Sequence, residues 1–152
     1  MLLSELLTTA RVKVPLGGRT KVEVLRELVE LVAAENADAD VEAILASVRE
    51  REEVLSTGIG GGIAIPHGKT PQVNRLTLVA GVASEGIEYD ALDGKPVRLF
   101  FLLVGPESAS GAHVKALSRI SRMLRREDLR SQLANAASPD AFVGVIRSSE
   151  PE

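Results

Sequence analysis

The chain has no cysteine and very few aromatic residues, and both absences narrow its possible functions. Because none of its 152 residues is a cysteine, disulfides, thiolate catalysis and cysteine-based zinc sites are excluded. Aromatic residues make up only 3% of the chain, so it lacks the stacking surface that single-stranded nucleic acids require. The core must therefore be built from Leu, Val, Ile and Ala.

Strong positive charge and long apolar runs are also missing. The net charge of −3 argues against a protein that binds nucleic acid by neutralising phosphates. The longest apolar run, residues 99–104, is too short to cross a bilayer, and the N-terminus lacks the basic region of a secretory signal. We therefore expect a cytoplasmic protein that neither binds nucleic acid nor inserts into a membrane.

The changing periodicity of the apolar residues predicts a single α/β domain over residues 1–152. Strands are predicted over residues 11–16, 63–65, 76–82 and 97–104, the last of them apolar on both faces, as in a central buried strand. Helices are predicted to follow N-caps at Thr20, at Asp38 or Asp40, at Ser108 or Ser110, and at Ser138. This order predicts a sandwich whose mixed sheet is covered by helices on both faces.

One of only two histidines lies in an unusual segment. Residues 56–69 read Ser-Thr-Gly-Ile-Gly-Gly-Gly-Ile-Ala-Ile-Pro-His-Gly-Lys. Glycines allow close backbone approach and Pro66 restricts its own φ, so the segment resembles a rigid platform that presents His67. Neutral imidazole can attack phosphorus near pH 7. The residues alone leave open a plain turn at residues 66–68.

Nucleotide-binding loops are excluded in the same segment. Gly62 and Gly68 are separated by five residues, whereas a Walker A loop has four between its glycines. No helix is predicted directly after the loop, so no helix N-terminus could meet a phosphate there. Because two histidines and scattered acids also lack metal-ligand spacing, we expect neither a metal nor a cofactor.

Three further residues could support chemistry at His67. Arg51 ends a predicted helix that leads into the glycine segment, and a guanidinium suits phosphoryl oxygens. His113 lies in the first turn of a later helix, where backbone amides favour anions. Thr57 could donate its hydroxyl or orient the imidazole. Ordinary structural roles remain open: a solvated Arg51, a core His113, and a Thr57 that bonds nearby backbone.

An arginine-rich helix face is the other notable charge feature. Its members are Arg119, Arg122, Arg126 and Arg130. Because the spacing is helical and the residues are strongly hydrated, we interpret this face as exposed to solvent. A docking patch for an acidic partner is the alternative.

Together these motifs resemble the active-site segments of fructose/mannitol-type enzyme IIA domains of the phosphoenolpyruvate-dependent sugar phosphotransferase system, a family that includes the nitrogen-regulatory IIA proteins. The resemblance rests on Arg51-Glu52, on the Ser-Thr-Gly to Pro-His-Gly segment, and on residues 92–97 and 113–124. It covers nearly the whole chain. It implies a three-layer α/β/α sandwich with a mixed sheet.

The resemblance also implies a phosphohistidine carrier, which is a phosphotransferase component that acts only with protein partners. His67 would accept a phosphoryl group on Nε2 from the carrier protein HPr, with His113 and Arg51 completing the site and Thr57 and Gly68 supporting the phosphate. The phosphoryl group would pass to an enzyme IIB in sugar uptake or serve as a regulatory state in nitrogen control. A non-catalytic regulatory binding module with the same fold is the alternative.

Overall fold

The computed structural model describes residues 2–150. The predicted domain covers residues 1–152, so residues 1, 151 and 152 lie outside the described part, and the extent of the domain stays a prediction. The helices are α1 Leu3–Leu6, α2 Lys21–Ala34, α3 Val41–Val54, α4 Ser110–Met123, α5 Glu127–Ala134 and α6 Pro139–Ser149. The strands are β1 Val12–Lys13, β2 Gly58–Gly60, β3 Ile63–Ala64, β4 His67–Lys69, β5 Thr77–Ile87 and β6 Val97–Gly105. None of the helices within residues 2–150 has the length and apolar character to span a membrane.

The strands form one mixed sheet with β6 in its interior. The strand order is β1-β5-β6-β3-β2, and β4 also pairs with β6. β5 runs antiparallel to β6, whereas β3 and β4 both run parallel to it. β3 and β4 follow one another along the same side of β6. β3 pairs with the first half of β6, and β4 pairs with its last residues. The predicted mixed sheet is confirmed.

Both faces of the sheet are covered, as the apolar pattern of β6 predicts. Leu99, Phe101 and Leu103 belong to one buried cluster together with side chains of α1, α4, α5 and α6. Phe100 and Leu102 belong to a second cluster together with side chains of α2 and α3. Because successive side chains of a strand point to opposite faces, these clusters are the two interfaces of a three-layer α/β/α sandwich.

Three predicted helix starts are confirmed by their side-chain caps. The Thr20 hydroxyl accepts a hydrogen bond from Glu23 N, and the Glu23 carboxylate accepts one from Thr20 N in return. The Asp40 carboxylate accepts from two backbone amides at the start of α3. Ser138 Oγ accepts from Ala141 N at the start of α6. Such caps satisfy amides that have no partner inside the helix.

Two local predictions were wrong. Neither Ser108 nor Ser110 caps α4, because a 3-10 turn over Glu107–Ala109 leads directly into the helix and Ser110 Oγ donates to the Glu107 carbonyl instead. The strand predicted over residues 11–16 is confined to Val12–Lys13. Pro15 has no N–H to donate to a neighbouring strand, which limits regular pairing beyond Lys13.

The glycine segment also differs from expectation. His67 begins the strand β4, so the alternative of a plain turn at residues 66–68 was wrong. Strands β2 and β4 were not predicted, because three residues are too few to display an alternating pattern. β5 extends to Ile87, five residues beyond the predicted end, with an irregular register after Val82.

A glycine on β4 lets α3 pack directly against the sheet. A Cβ atom placed on Gly68 would lie 3.2 Å from the backbone N of Val48 and 3.3 Å from the carbonyl carbon of Ser47. Contacts this short with a helix backbone mean that even a methyl group would require α3 to shift by a few tenths of an ångström. Gly68 therefore sets the distance between α3 and the strand that begins with His67.

We expect Gly68→Ala to lower the free energy of unfolding by about 1–3 kcal/mol, because the new methyl group pushes α3 away from β4. Gly144→Ala is the matched control, since Gly144 lies within α6 and a methyl group there would have no atom within 4 Å beyond the adjoining helix backbone. That control should be neutral or stabilising by up to about 1 kcal/mol. Urea unfolding of both variants measures the difference, and equal stability of the two would contradict the close-packing role of Gly68.

Candidate active site

The sheet topology brings the two histidines together. His67 on β4 lies beside Leu103 on the parallel strand β6. β6 ends two residues later at Gly105, and a short turn leads into α4, whose fourth residue is His113. The two imidazole rings are 5.5 Å apart between centroids and meet edge to face at 71°. Residues separated by 46 positions in sequence thus become ring neighbours.

The packing of α3 on β4 brings Arg51 to the same place. Val48 contacts the Gly68 position, and Arg51 follows three residues later, on the same face of the helix. Its guanidinium Nη1 donates a hydrogen bond to the Leu55 carbonyl at 2.9 Å. Its positive charge lowers the pKa of His67, so the guanidinium acts electrostatically on the imidazole.

A backbone carbonyl determines which nitrogen of His67 carries the proton. Nδ1 lies 2.9 Å from the carbonyl oxygen of Ile65. Because a carbonyl oxygen can only accept a hydrogen bond, Nδ1 must be the protonated nitrogen. In the neutral ring the unshared electron pair therefore lies on Nε2.

The surroundings of His67 favour its neutral form. Burial lowers the pKa of His67 below its ordinary value of 6.5, and the hydrogen bond to Ile65 only partly offsets this. The positive charges of Arg51 and Lys69 lower the pKa further, whereas the negative charge of Glu52 raises it. The net direction is downward, so the half-buried imidazole is mostly neutral at pH 7.

His113 is also neutral, and it is more deeply buried. Its side chain belongs to a residue that is only 3% exposed. Burial, followed by the influence of His67 and Lys69, lowers its pKa to about 4. Within residues 2–150, its Nδ1 is the buried side-chain polar atom that lacks a hydrogen-bond partner. Since an unpaired buried N–H is costly, we infer that the proton of this ring lies on Nε2.

Gly68 directly follows His67 and Thr57 lies ten residues before it, and both residues contact the framework of the site. The Thr57 hydroxyl donates to the Glu52 carboxylate and lies 3.0 Å from the Tyr89 hydroxyl, so its partners are side chains and not the nearby backbone that the sequence left open. Gly68 allows α3 to approach, as described above. Their roles as support for a bound phosphate stay predictions.

Two charged residues near the site were assigned no role from the sequence. Lys69 lies two residues after His67 on β4, and its charge lowers the pKa of both histidines. The two-residue period of a strand is the signal that could have identified it. Glu52 belongs to a charged run that is typical of a solvated helix face, but it is only 8% exposed. No local pattern distinguishes it from its exposed neighbours.

The arginine-rich face is largely engaged in contacts within the chain. Arg119 pairs with Glu150 and Arg126 pairs with Asp128, each at 2.9 Å. Arg130 donates to the Leu124 carbonyl at 2.7 Å. These arginines therefore stabilise the ends of α4 and α6 and the start of α5, in addition to contacting solvent.

We expect His113 in the unphosphorylated protein to titrate at about pH 4 and His67 below pH 6.5. Between pH 6.5 and about 4 the folded protein then binds fewer protons than the unfolded chain, so its free energy of unfolding should fall as the pH falls. NMR titration of the two imidazoles measures both midpoints, and His113→Gln assigns the signals. A His113 midpoint at or above 6.5 would contradict the buried, neutral ring.

Comparison with known proteins identifies the family of the chain. The family model described as "Phosphoenolpyruvate-dependent sugar phosphotransferase system, EIIA 2" matches residues 5–149. The chain is 37% identical over 150 residues to the PTS system fructose-specific EIIABC component of Bacillus subtilis, covering 99% of this chain but 24% of that protein. It is 35% identical over 144 residues to a nitrogen regulatory protein of Pseudomonas aeruginosa, covering 95% of this chain and 94% of that protein.

A solved structure shows that the similarity extends to the fold. The crystal structure of nitrogen regulatory protein IIA-Ntr from Neisseria meningitidis superimposes with a TM-score of 0.88 at 28% identity, covering 95% of this chain and 98% of that chain. The chain thus spans about a quarter of the Bacillus subtilis fructose-specific relative and nearly all of the Pseudomonas aeruginosa nitrogen regulatory protein. Since the family model matches nearly the whole chain, the chain belongs to the EIIA type 2 family of the phosphoenolpyruvate-dependent sugar phosphotransferase system.

Proposed function

We propose that this chain is a cytoplasmic phosphohistidine carrier in which Nε2 of His67 accepts a phosphoryl group from an HPr-like protein. The observation that carries the proposal is the hydrogen bond from Nδ1 to the Ile65 carbonyl, because it leaves Nε2 as the nucleophilic nitrogen. Membership in a phosphotransferase family supports the class of reaction. The next partner removes the phosphoryl group, so the chain acts as a relay between two proteins.

The transfer is a substitution at phosphorus. The Nε2 electron pair forms a new N–P bond while the bond between phosphorus and the donor atom breaks, and that electron pair returns to the donor. The Nδ1 proton remains on His67, where the Ile65 carbonyl stabilises the positive charge that the ring acquires. Phosphoryl transfer needs mainly alignment and charge stabilisation from the protein, so no cofactor is required.

Three groups around His67 can stabilise the transferred phosphoryl group. Arg51 and Lys69 supply positive charges that already act on the imidazole in the unphosphorylated protein. His113 supplies an Nε2–H that can donate a hydrogen bond to a phosphoryl oxygen while its ring stays neutral. The same charges that lower the pKa of His67 would thus favour a dianion bonded to it.

Exposed apolar residues on the segments that form the site support docking of protein partners. Leu55 follows α3 and is 55% exposed, Ile59 lies on β2 and is 47% exposed, and Val114 follows His113 and is 65% exposed. Exposed apolar residues that lie together are typical of a protein interface. An HPr-like donor and an enzyme IIB acceptor could use this surface in turn, because both must reach the same nitrogen.

The proposed phosphorylated state could serve either of two roles, sugar uptake or regulation. The Bacillus subtilis relative is named as a fructose-specific EIIABC component, which supports transfer to a IIB acceptor. The Pseudomonas aeruginosa relative is named as a nitrogen regulatory protein, which supports a regulatory state. Incubating the labelled protein with a fructose-type IIB distinguishes them, since only the transport role requires rapid loss of the label to a IIB acceptor.

We expect the chain to gain one acid-labile phosphoryl group when it is incubated with phosphoenolpyruvate, enzyme I and HPr. His67→Ala should gain none, because it lacks the accepting nitrogen. Arg122→Ala is a control on the surface of α4, about 13 Å along the helix from His113, and it should be labelled like the unaltered chain. Labelling of His67→Ala would reject the assignment, and a folded but unlabelled natural chain would favour a non-catalytic binding module.

We expect His113→Phe to slow phosphorylation by about 10²-fold without abolishing it, because the new ring has no hydrogen-bond donor for the phosphoryl group. The rate should be measured with saturating donor by quenched-flow labelling, and urea unfolding should establish that the variant is folded. A folded variant that is labelled at the natural rate would assign His113 to the core alone.

A further inference from the structure

The last turn of α3 contains a buried carboxylate that the proposed reaction does not use. The Glu52 side chain is only 5% exposed. Its Oε2 accepts hydrogen bonds from Thr57 N at 2.9 Å and from Lys21 Nζ at 2.9 Å. Its Oε1 accepts from the hydroxyls of Thr57 and Tyr89. Each oxygen therefore has two donors, so the carboxylate is fully satisfied.

The surroundings keep this carboxylate ionised and rigid. Burial by itself would raise the pKa of Glu52, but hydrogen bonds from Thr57 and Lys21 outweigh it and hold the pKa below its usual value. Lys21 is fixed in turn, because its Nζ donates to the Tyr89 carbonyl at 3.2 Å and lies 4.3 Å from the centre of the Tyr89 ring. A fully satisfied buried network of this kind favours one geometry over all others.

Hydrogen bonds connect this network to the reactive imidazole. Glu52 holds Thr57 by both its backbone N–H and its hydroxyl. The carbonyl oxygen of Thr57 accepts from Ile65 N at 3.0 Å. The carbonyl oxygen of Ile65 accepts from Nδ1 of His67 at 2.9 Å. A series of contacts thus runs from Glu52 to the nitrogen that determines the tautomer of His67.

The same carboxylate also holds the segment that anchors Arg51. Arg51 directly precedes Glu52 on α3, and its guanidinium donates to the Leu55 carbonyl. Leu55 lies between Glu52 and Thr57, within the stretch that the Glu52–Thr57 bonds close. Loss of those bonds would therefore loosen the support of Arg51 together with that of His67.

We propose that Glu52 is a positioning residue for phosphoryl transfer, acting through Thr57 and Ile65 to hold His67 with its proton on Nδ1. This inference rests on the proposed carrier function for its kinetic consequence, but its structural part concerns the unphosphorylated protein alone. Glu52 acts by geometry more than by charge, since Lys21 neutralises it at 2.9 Å. Reactive groups that are displaced by about 1 Å lose about 10²-fold in rate.

Thr57→Val and Tyr89→Phe form a matched pair that tests this inference. Each removes one hydroxyl from Glu52 Oε1, but only Thr57 belongs to the series of bonds that reaches His67. We expect Thr57→Val to slow transfer about 10-fold at saturating donor with little change in KM, because positioning affects the reaction step. Tyr89→Phe should stay within about twofold of the natural rate, even if it unfolds at lower urea.

NMR of the imidazole nitrogens supplies a readout that does not depend on any donor protein. In the natural chain, the neutral ring of His67 should be protonated on Nδ1. Thr57→Val should shift part of the population to the Nε2–H form, whereas Tyr89→Phe should not. A role in stability alone would lower the unfolding midpoint of both variants and leave this ratio unchanged.

Replacing the carboxylate itself separates geometry from charge. Glu52→Gln keeps a carbonyl oxygen for Thr57 N and Lys21, and its amide can donate to the two hydroxyls, which can rotate to accept. We expect this variant to stay within about threefold of the natural rate, whereas Glu52→Ala should lose about 10-fold or more. If Glu52→Ala does not fold, the comparison of Thr57→Val with Tyr89→Phe tests the positioning role of Glu52 by itself.

The outcomes separate this inference from the proposed function. A folded Thr57→Val that has the natural rate and tautomer would overturn the positioning role of Glu52, as would equal slowing by Thr57→Val and Tyr89→Phe. Failure of the natural chain to accept a phosphoryl group would instead overturn the carrier function. In that case the tautomer measurement still tests the bonds from Glu52 to His67.

Discussion

The hydrogen bond between Nδ1 of His67 and the Ile65 carbonyl is the interaction on which the site depends. It fixes the tautomer, and the tautomer determines which nitrogen can act as a nucleophile. The partner is a backbone atom two residues away, so the choice is built into the path of the chain between β3 and β4. Side chains farther away then act by keeping that path in place.

The site combines groups that lower the pKa of an imidazole with groups that suit a bound anion. Burial together with Arg51 and Lys69 disfavours protonation of His67, and burial alone has the largest effect on His113. Both rings are therefore neutral when the site is free. A phosphoryl group would bring negative charge to the positive groups that make protonation unfavourable, so the same arrangement would suit the free and a phosphorylated state.

Local features of the fold were predictable where short-range physics determines them. The Thr20 capping box, the Ser138 cap and the apolar β6 depend on residues within a few positions of one another. The cap of α4 was predicted wrongly, because a 3-10 turn replaced the expected serine cap. Strand β4 was missed because three residues, one of them glycine, show no period, and its existence depends on pairing with β6.

The amino-acid sequence by itself determined that the chain has a phosphotransferase-type motif, a single imidazole on a glycine-rich segment, and an α/β pattern. Only the tertiary structure decided that His113 contacts His67, that Glu52 is buried, and that Nδ1 of His67 is bonded to the Ile65 carbonyl. The reason is physical: parallel pairing of β4 with β6 and close packing of α3 at Gly68 bring together residues that are distant in sequence. A residue's type is local, whereas its burial and hydrogen-bond partners are properties of the whole fold.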